Sequence, residues 1–274
     1  MTGLLSLAGC LHLRGQAPGD PDRQTAARLE PPPPPPPPPE RLQAAPQPAP
    51  APIQVRMRLL RGERAYVVRI QLSRIEPRLI FAKGRPGPQR VAENFDKLRQ
   101  RAASRLVSSG TFFGIHSHAT MGTLVSDGHV RQYAPADHRG TLLAIDADHV
   151  ARLTTLAVDS PPDDAAFALQ AGPRLVRNGS VWLHPRLEGF RDPALFAPAR
   201  RMAIGLTHGG RVLLLVAFPE AVSLKTEALA LRDLGARNAL NLDGGSSTAL
   251  ALGDHIFVSP TAPLTHVIAF TERR

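Results

Sequence analysis

Residues 238–248 read Asn-Ala-Leu-Asn-Leu-Asp-Gly-Gly-Ser-Ser-Thr: a strand-like stretch that ends abruptly in one carboxylate, two glycines and three hydroxyls. A strand that stops this way delivers Asp243 to the rim of a sheet. Gly244 and Gly245 permit a sharp turn with positive φ and let a ligand approach the backbone closely. Ser246, Ser247 and Thr248 add donors beside them. The structural alternative is an Asp-Gly turn closing a hairpin. What precedes the run constrains it further. Ser223 suits the N-cap of a helix over 224–234, with Leu224, Ala228, Leu231 and Leu234 on one face and Gly235 at the C′ position. Helix, glycine, strand and turn follow with hardly a spare residue, so this segment must pack as a unit.

The other end of the chain excludes itself from any core. Residues 14–52 contain nine consecutive prolines, Pro31 to Pro39, and continue in Ala, Pro and Gln. Such sequence extends as polyproline II at ~3.1 Å per residue and acts as a linker. The globular domain is therefore expected over 53–274. Val55, Met57 and Leu59 alternate with Arg56 and Arg58, and Tyr66, Val68, Ile70 and Leu72 repeat the period after a turn at 61–64. That pattern predicts an antiparallel hairpin with the arginines on its solvent face. A short helix is predicted over 93–101 with Phe95 and Leu98 inward. Further strands are predicted at 106–107, 142–145, 167–169, 175–176, 202–206 and 212–218, with turns at Asn178-Gly179 and Gly209-Gly210. The expected fold class is α+β: a mixed, largely antiparallel sheet with few helices in a single globular domain.

The formal charge of +10 is concentrated. Residues 51–110 hold fourteen Lys/Arg against four Asp/Glu, and the remainder holds nineteen of each. A basic third suits phosphate-rich or acidic-glycan partners. No nucleic-acid-binding signature accompanies it, so nucleic acid is not the expected partner. No apolar run reaches eighteen residues, so no transmembrane helix is expected. The single cysteine excludes an internal disulfide framework and a Cys-based zinc site. Leu7-Ala8-Gly9-Cys10 has the small-residue pattern of a bacterial lipoprotein processing site, though the stretch before it is too short for a signal peptide. Residues 1–13 are read as a truncated lipoprotein signal with the true start upstream; the alternative is an accidental match. On that reading Cys10 is lipidated, and the proline-rich linker tethers the domain in the periplasm or cell envelope.

The run "ALNLDGGSST" resembles the signature of the phosphodiester glycosidase family, and other segments follow in that family's order: "SSGTFF" at 108–113, "MGTLVSDG" at 121–128, "AGPRLVRNG" at 171–179 and "RRMAIGLT" at 200–207. The resemblance runs from about residue 55 to the C-terminus. It implies a hydrolase that cleaves a sugar-1-phosphodiester to free sugar and a phosphate monoester, needing no cofactor. The oxocarbenium character of such a transition state calls for a nearby carboxylate. The departing phosphate monoester, with a second pKa of about 6, needs less acid assistance than a sugar alkoxide. Donors that hold its oxygens matter more.

In that light Asp243 is the leading catalytic carboxylate. Arg201, at the start of an apolar strand and matching an arginine in the family pattern, is the leading phosphate clamp. Gly172 (with Pro173), Gly244 and Gly245 are expected to bring backbone amides to the substrate, and Ser246 and Ser247 to bond sugar or phosphate. Ser109 departs from the family, which has Asn before the Gly-x-Phe-Phe turn; serine keeps a donor and an acceptor but loses the reach of an amide. It is carried as a substrate contact, and the departure keeps open an alternative: a non-catalytic binding or exopolysaccharide-assembly accessory domain for phosphorylated or anionic glycans. His116 and His118 would point to one side of a strand, as a metal pair does. Without a third ligand in view, no metal is assigned, and His116 is taken as a substrate contact. Glu188, Asp192 and Asp127 are candidates for a second carboxylate, and their spacing selects none.

Overall fold

The computed structural model describes residues 50–84, 91–114, 116–134, 140–155, 161–207 and 209–273. The expectations for Cys10, for the signal over 1–13 and for nearly all of the linker lie outside the described residues. Residues Ala49–Arg274 form one compact unit.

Three sheets make up this unit. The first has seven strands in the order β1 (Ile53–Leu60), β2 (Glu63–Gln71), β13 (Val212–Val222), β12 (Ala199–Leu206), β14 (Asn238–Asn241), β10 (Arg174–Arg177) and β11 (Ser180–Val181). The second runs β16 (His255–Val258), β15 (Leu250–Leu252), β4 (Leu106–Ser109), β17 (His266–Glu272) and β3 (Ile75–Phe81). The third runs β6 (His129–Gln132), β5 (Leu124–Ser126), β9 (Ala165–Ala171), β7 (Thr141–Asp146) and β8 (Ala151–Thr155). One aliphatic core joins all three inner faces. Val68, Ile70 and Ile204 come from the first sheet, Leu79, Ile268 and Phe270 from the second, and Leu143, Phe167 and Leu169 from the third.

Helices cover outer faces. The helix α1 (Phe95–Ala102) packs Phe95 and Leu98 against Val107 and Val267 of the second sheet. The helix α3 (Leu224–Asp233) lies on the first sheet. The Ser223 side chain accepts the Thr226 amide at 3.0 Å and so caps its N-terminus, a contact worth ~1 kcal/mol. Gly235, at φ +85°, closes its C-terminus, where the Ala236 amide reaches the Leu231 carbonyl. Strand alternation then divides β12: Met202, Ile204 and Leu206 face the main core, while Ala203 faces the helix layer. Gly205 lies beneath Leu231, where a Cβ would come within 2.9 Å of Leu231 Cδ1.

Two expectations about the sheet change. It is not mixed: every strand pairing among the described residues is antiparallel, and the domain is mostly β with few helices. The crossover through α3 does make β13 and β14 run the same way, but β12 sits between them, antiparallel to both. The hairpin of β1 and β2 forms in the expected register, yet Met57 and Leu59 are 59% and 72% exposed. β1 is an edge strand, and of its apolar side chains only Ile53 and Val55 reach the main core.

Leu231 is fully buried between α3 and β12. Leu231→Ala is expected to lower unfolding free energy by about 3 kcal/mol, because the sheet below cannot collapse into the space left. Urea denaturation measures it.

Candidate functional site

Three strand ends from different sheets converge on the turn after β14. They are Ser109-Gly110-Thr111 beyond β4, Gly172-Pro173 between β9 and β10, and the sequence from Asn241 to the 3₁₀ turn Gly245–Ser247. Strand ends free backbone groups that cannot be left bare when buried. Here they satisfy one another. The Asp243 amide donates to the Gly110 carbonyl at 3.0 Å, and the Leu242 amide to the Met202 carbonyl at 2.7 Å. The Gly172 amide donates to the Asn241 carbonyl at 3.0 Å, and the Asn241 amide to the Pro173 carbonyl at 3.0 Å. The Asn241 side chain adds a bond from Nδ2 to the Gly172 carbonyl at 2.9 Å.

The glycines here are demanded by close approach. A Cβ on Gly244 would stand 2.6 Å from the Arg200 carbonyl oxygen. A Cβ on Gly172, which holds φ +144°, would stand 2.8 Å from the Phe190 ring and 3.2 Å from Glu188 Oε2. On Gly245, at φ +58°, a Cβ would meet nothing within 4 Å, so that side of the turn is open. Ser246 is exposed there, while Ser247 is buried.

Asp243 keeps part of its surface to solvent, but its carboxyl sits among protein atoms. Burial disfavours its charged form and pushes its pKa up to about 7, against the opposing influence of the Ser247 side chain and the Gly244 amide. A carboxyl so poised changes charge near neutrality, which is the range a catalytic acid or base needs.

Of the three candidate second carboxylates, the structure brings one to the junction. Glu188 is 1% exposed; its Oε2 accepts from the Thr141 hydroxyl and its Oε1 from the Arg174 amide, both at 2.7 Å. Burial raises its pKa, while those two bonds and the Arg174 charge oppose the rise. It braces the Gly172 turn from below. Asp192 is exposed and caps the short helix α2 (Pro193–Phe196), and Asp127 is exposed beside Arg131 in the β5–β6 hairpin.

Arg201 is not at the rim. It is 3% exposed, with Nε on the Val222 carbonyl (3.3 Å) and Nη2 on those of Leu195 (2.8 Å) and Ala197 (2.7 Å). Strand alternation turns it under α3, toward Glu227, whose two carboxyl oxygens are buried without a hydrogen-bond partner among the described residues. As placed, its guanidinium ties α2 and β13 to β12 and does not grip a ligand directly. Arg200 lies on the other side of the turn. Its Nη2 donates to the carbonyls of Thr248 and Ser259 at 2.7 Å each.

Ser109 is likewise turned inward. It is buried, and its Oγ accepts the Ala249 amide at 3.1 Å, so the hydroxyl closes the β4–β15 ladder instead of facing a ligand. His116 and His118 do not share a strand. They lie in a turn where the His118 amide reaches the Gly114 carbonyl, and His116 is exposed. Among the described residues no three His, Cys, Asp or Glu side chains gather as metal ligands. Sequence reading also missed His266, a lone histidine at the start of β17, which contacts the Gly110 loop from beneath.

Glu227 gives a pH test of this interior. Burial lifts its pKa to about 8, against the pull of Arg201. A raised folded-state value means its contribution to stability is present below the ordinary carboxylate range and is lost as pH rises through about 8. Wild-type melting temperature is expected to fall more steeply between pH 6 and 9.5 than that of Glu227→Gln. Parallel curves would refute this.

The model of the phosphodiester glycosidase family matches residues 102–271. No curated protein sequence matches the chain. Among solved structures, a hypothetical protein from Synechocystis superposes with a TM-score of 0.62 at 19% identity, covering 81% of this chain and 62% of that one. This chain therefore spans less than two thirds of that protein's length. The catalytic domain of zebrafish N-acetylglucosamine-1-phosphodiester α-N-acetylglucosaminidase, auto-inhibited by its pro-peptide, gives 0.63 at 15% identity, covering 81% of this chain and 82% of that one. A putative exported protein from Burkholderia pseudomallei gives 0.56 at 15% identity, with 76% and 74% covered. These likenesses share the fold, and the matched family model spans most of the domain: the chain belongs to the phosphodiester glycosidase family.

Proposed function

We propose that this protein hydrolyses a sugar-1-phosphodiester to free sugar and a phosphate monoester, with Asp243 as the catalytic carboxylate. The observation that carries the reading is the Asp243 carboxyl, pushed up to about 7, at the head of a glycine turn where strand ends from three sheets meet. Ionised, it faces the anomeric carbon and stabilises the positive charge that grows there, or activates the attacking water. The turn supplies the other half. We assign the amides of Gly245 and Ser246 and the Ser246 hydroxyl to the phosphoryl oxygens, where charge grows in the transition state and backbone donors need no reorganisation to receive it. Arg200 and Arg201 flank the turn and act through their field, since their guanidinium groups already bond carbonyls. Glu188 supports Gly172 from a place substrate does not reach.

The bond type is carried over from the name of the zebrafish enzyme and from the family. The setting we propose is the bacterial cell envelope, where phosphorylated glycans are at hand and a lipidated Cys10 with the proline-rich linker would hold the domain near them. One observation favours a second reading. Ser109 and Arg201, two of the polar groups expected on the ligand, are both turned inward. A glycan-binding domain using the same turn needs neither.

Assay of the full chain against a panel of sugar-1-phosphodiesters separates the two. Turnover is expected, with kcat/KM rising with pH through about 7 as Asp243 ionises, and Asp243→Asn is expected to lose at least about 100-fold. Glycan binding that depends on Asp243, with no turnover of any member of the panel, would replace the hydrolase with the binding module.

A further inference from the structure

The peptide group between Gly110 and Thr111 is held at both ends. Its carbonyl accepts the Asp243 amide at 3.0 Å, and its N–H donates to His266 Nε2 at 3.0 Å. One rigid amide plane thus joins the strand carrying His266 to the turn carrying Asp243.

His266 is 3% exposed, and its protonation is dictated by its neighbours. A backbone N–H can only donate, so Nε2 must be the bare nitrogen. The neutral ring then carries its proton on Nδ1, which donates to Thr265 Oγ1 at 2.9 Å. The Thr120 hydroxyl donates to the same oxygen at 3.2 Å. Burial agrees with a neutral ring, holding the histidine down to about 4. The ring also explains why residue 110 is glycine: a Cβ there would stand 2.3 Å from Nε2. The "SSGTFF" segment and the lone histidine 156 positions after Gly110 are thus two halves of one contact.

The geometry points to His266 as a positioning residue for Asp243: a neutral Nδ1–H imidazole that fixes the Gly110–Thr111 peptide plane, which in turn fixes the backbone of the catalytic carboxylate. It acts through the loop and touches no substrate. Chains of hydrogen bonds through a polarisable amide strengthen one another, so loss of the far acceptor weakens the near bond. Remove that acceptor, and the Thr111 N–H is left buried and unpaired; the plane rotates to find another partner, and the Asp243 amide loses its own.

This inference rests on the reading of Asp243 as the catalytic carboxylate, and its test has one arm that does not need catalysis. Three proteins are compared: wild type, His266→Phe, which keeps the ring but has no acceptor, and His266→Gln, whose amide oxygen reaches near the Nε2 position. Nitrogen NMR of the wild-type ring is expected to show Nδ1 protonated and Nε2 bare. Amide hydrogen exchange at Thr111 and Asp243 is expected to quicken about 10-fold or more in His266→Phe and to return most of the way in His266→Gln. Turnover should follow the same order, with kcat down about 10-fold and KM little changed, since ground-state binding groups are untouched. A wild-type ring protonated on Nε2 would overturn the proposal, as would unchanged Asp243 exchange in a folded His266→Phe protein. Should His266→Phe fail to fold, Thr265→Val takes its place: it removes the Nδ1–H acceptor, and faster exchange at Asp243 is again the supporting result. Absence of turnover in wild type would sink the hydrolase reading alone, because the exchange arm decides the role of His266 by itself.

Discussion

Where the ends of β4, β9 and β14 meet, the backbone groups released by strand endings are buried and must be satisfied within the protein. Asp243 bonds Gly110, Gly172 bonds Asn241, and Asn241 bonds Pro173, so each ending is completed by another from a different part of the chain. Everything else at the site follows from that exchange. The strands must approach closely, which is why Gly110, Gly172 and Gly244 have no room for a side chain. The packing that excludes water from the junction also raises the Asp243 carboxyl to about 7. A turn on the surface of a single hairpin would do neither.

The strand layout was legible in outline. The hairpin of β1 and β2, the capped helix α3 and the run from β14 into the turn all stand close to where apolar periodicity, Ser223 and Gly235 place them. The second sheet was not. β3 carries a proline, Pro77, within it, β15 and β16 are short, and β17, buried on both faces over Val267, Ile268, Ala269 and Phe270, carries apolar residues without alternation. Met57 and Leu59 mark the opposite failure. Their alternation is that of a core strand, but an edge position leaves nothing to cover them.

Site residues divide along the same line. Asp243 and the glycines are local features, readable from their own neighbours. Ser109 was placed by resemblance to the family pattern and Arg201 by that and by its position at a strand start, and the fold turned both inward. His266 and Glu188 belong to the site only through contacts across the fold, to Thr111 and to Arg174 and Thr141. No local pattern distinguishes such residues from ordinary buried polar groups. The signal that finds them is the missing space at a glycine: Gly110 is closed off by His266, and Gly172 by Phe190 and Glu188.

The central claim is that the junction of three sheets holds the Asp243 carboxyl in a state that changes charge near neutrality. Carbon NMR titration of that carboxyl in the full chain tests it without any substrate. A midpoint near 7 is the expected result. A midpoint near 4, the value of an ordinary solvated aspartate, would show that water reaches the carboxyl freely and would contradict the account.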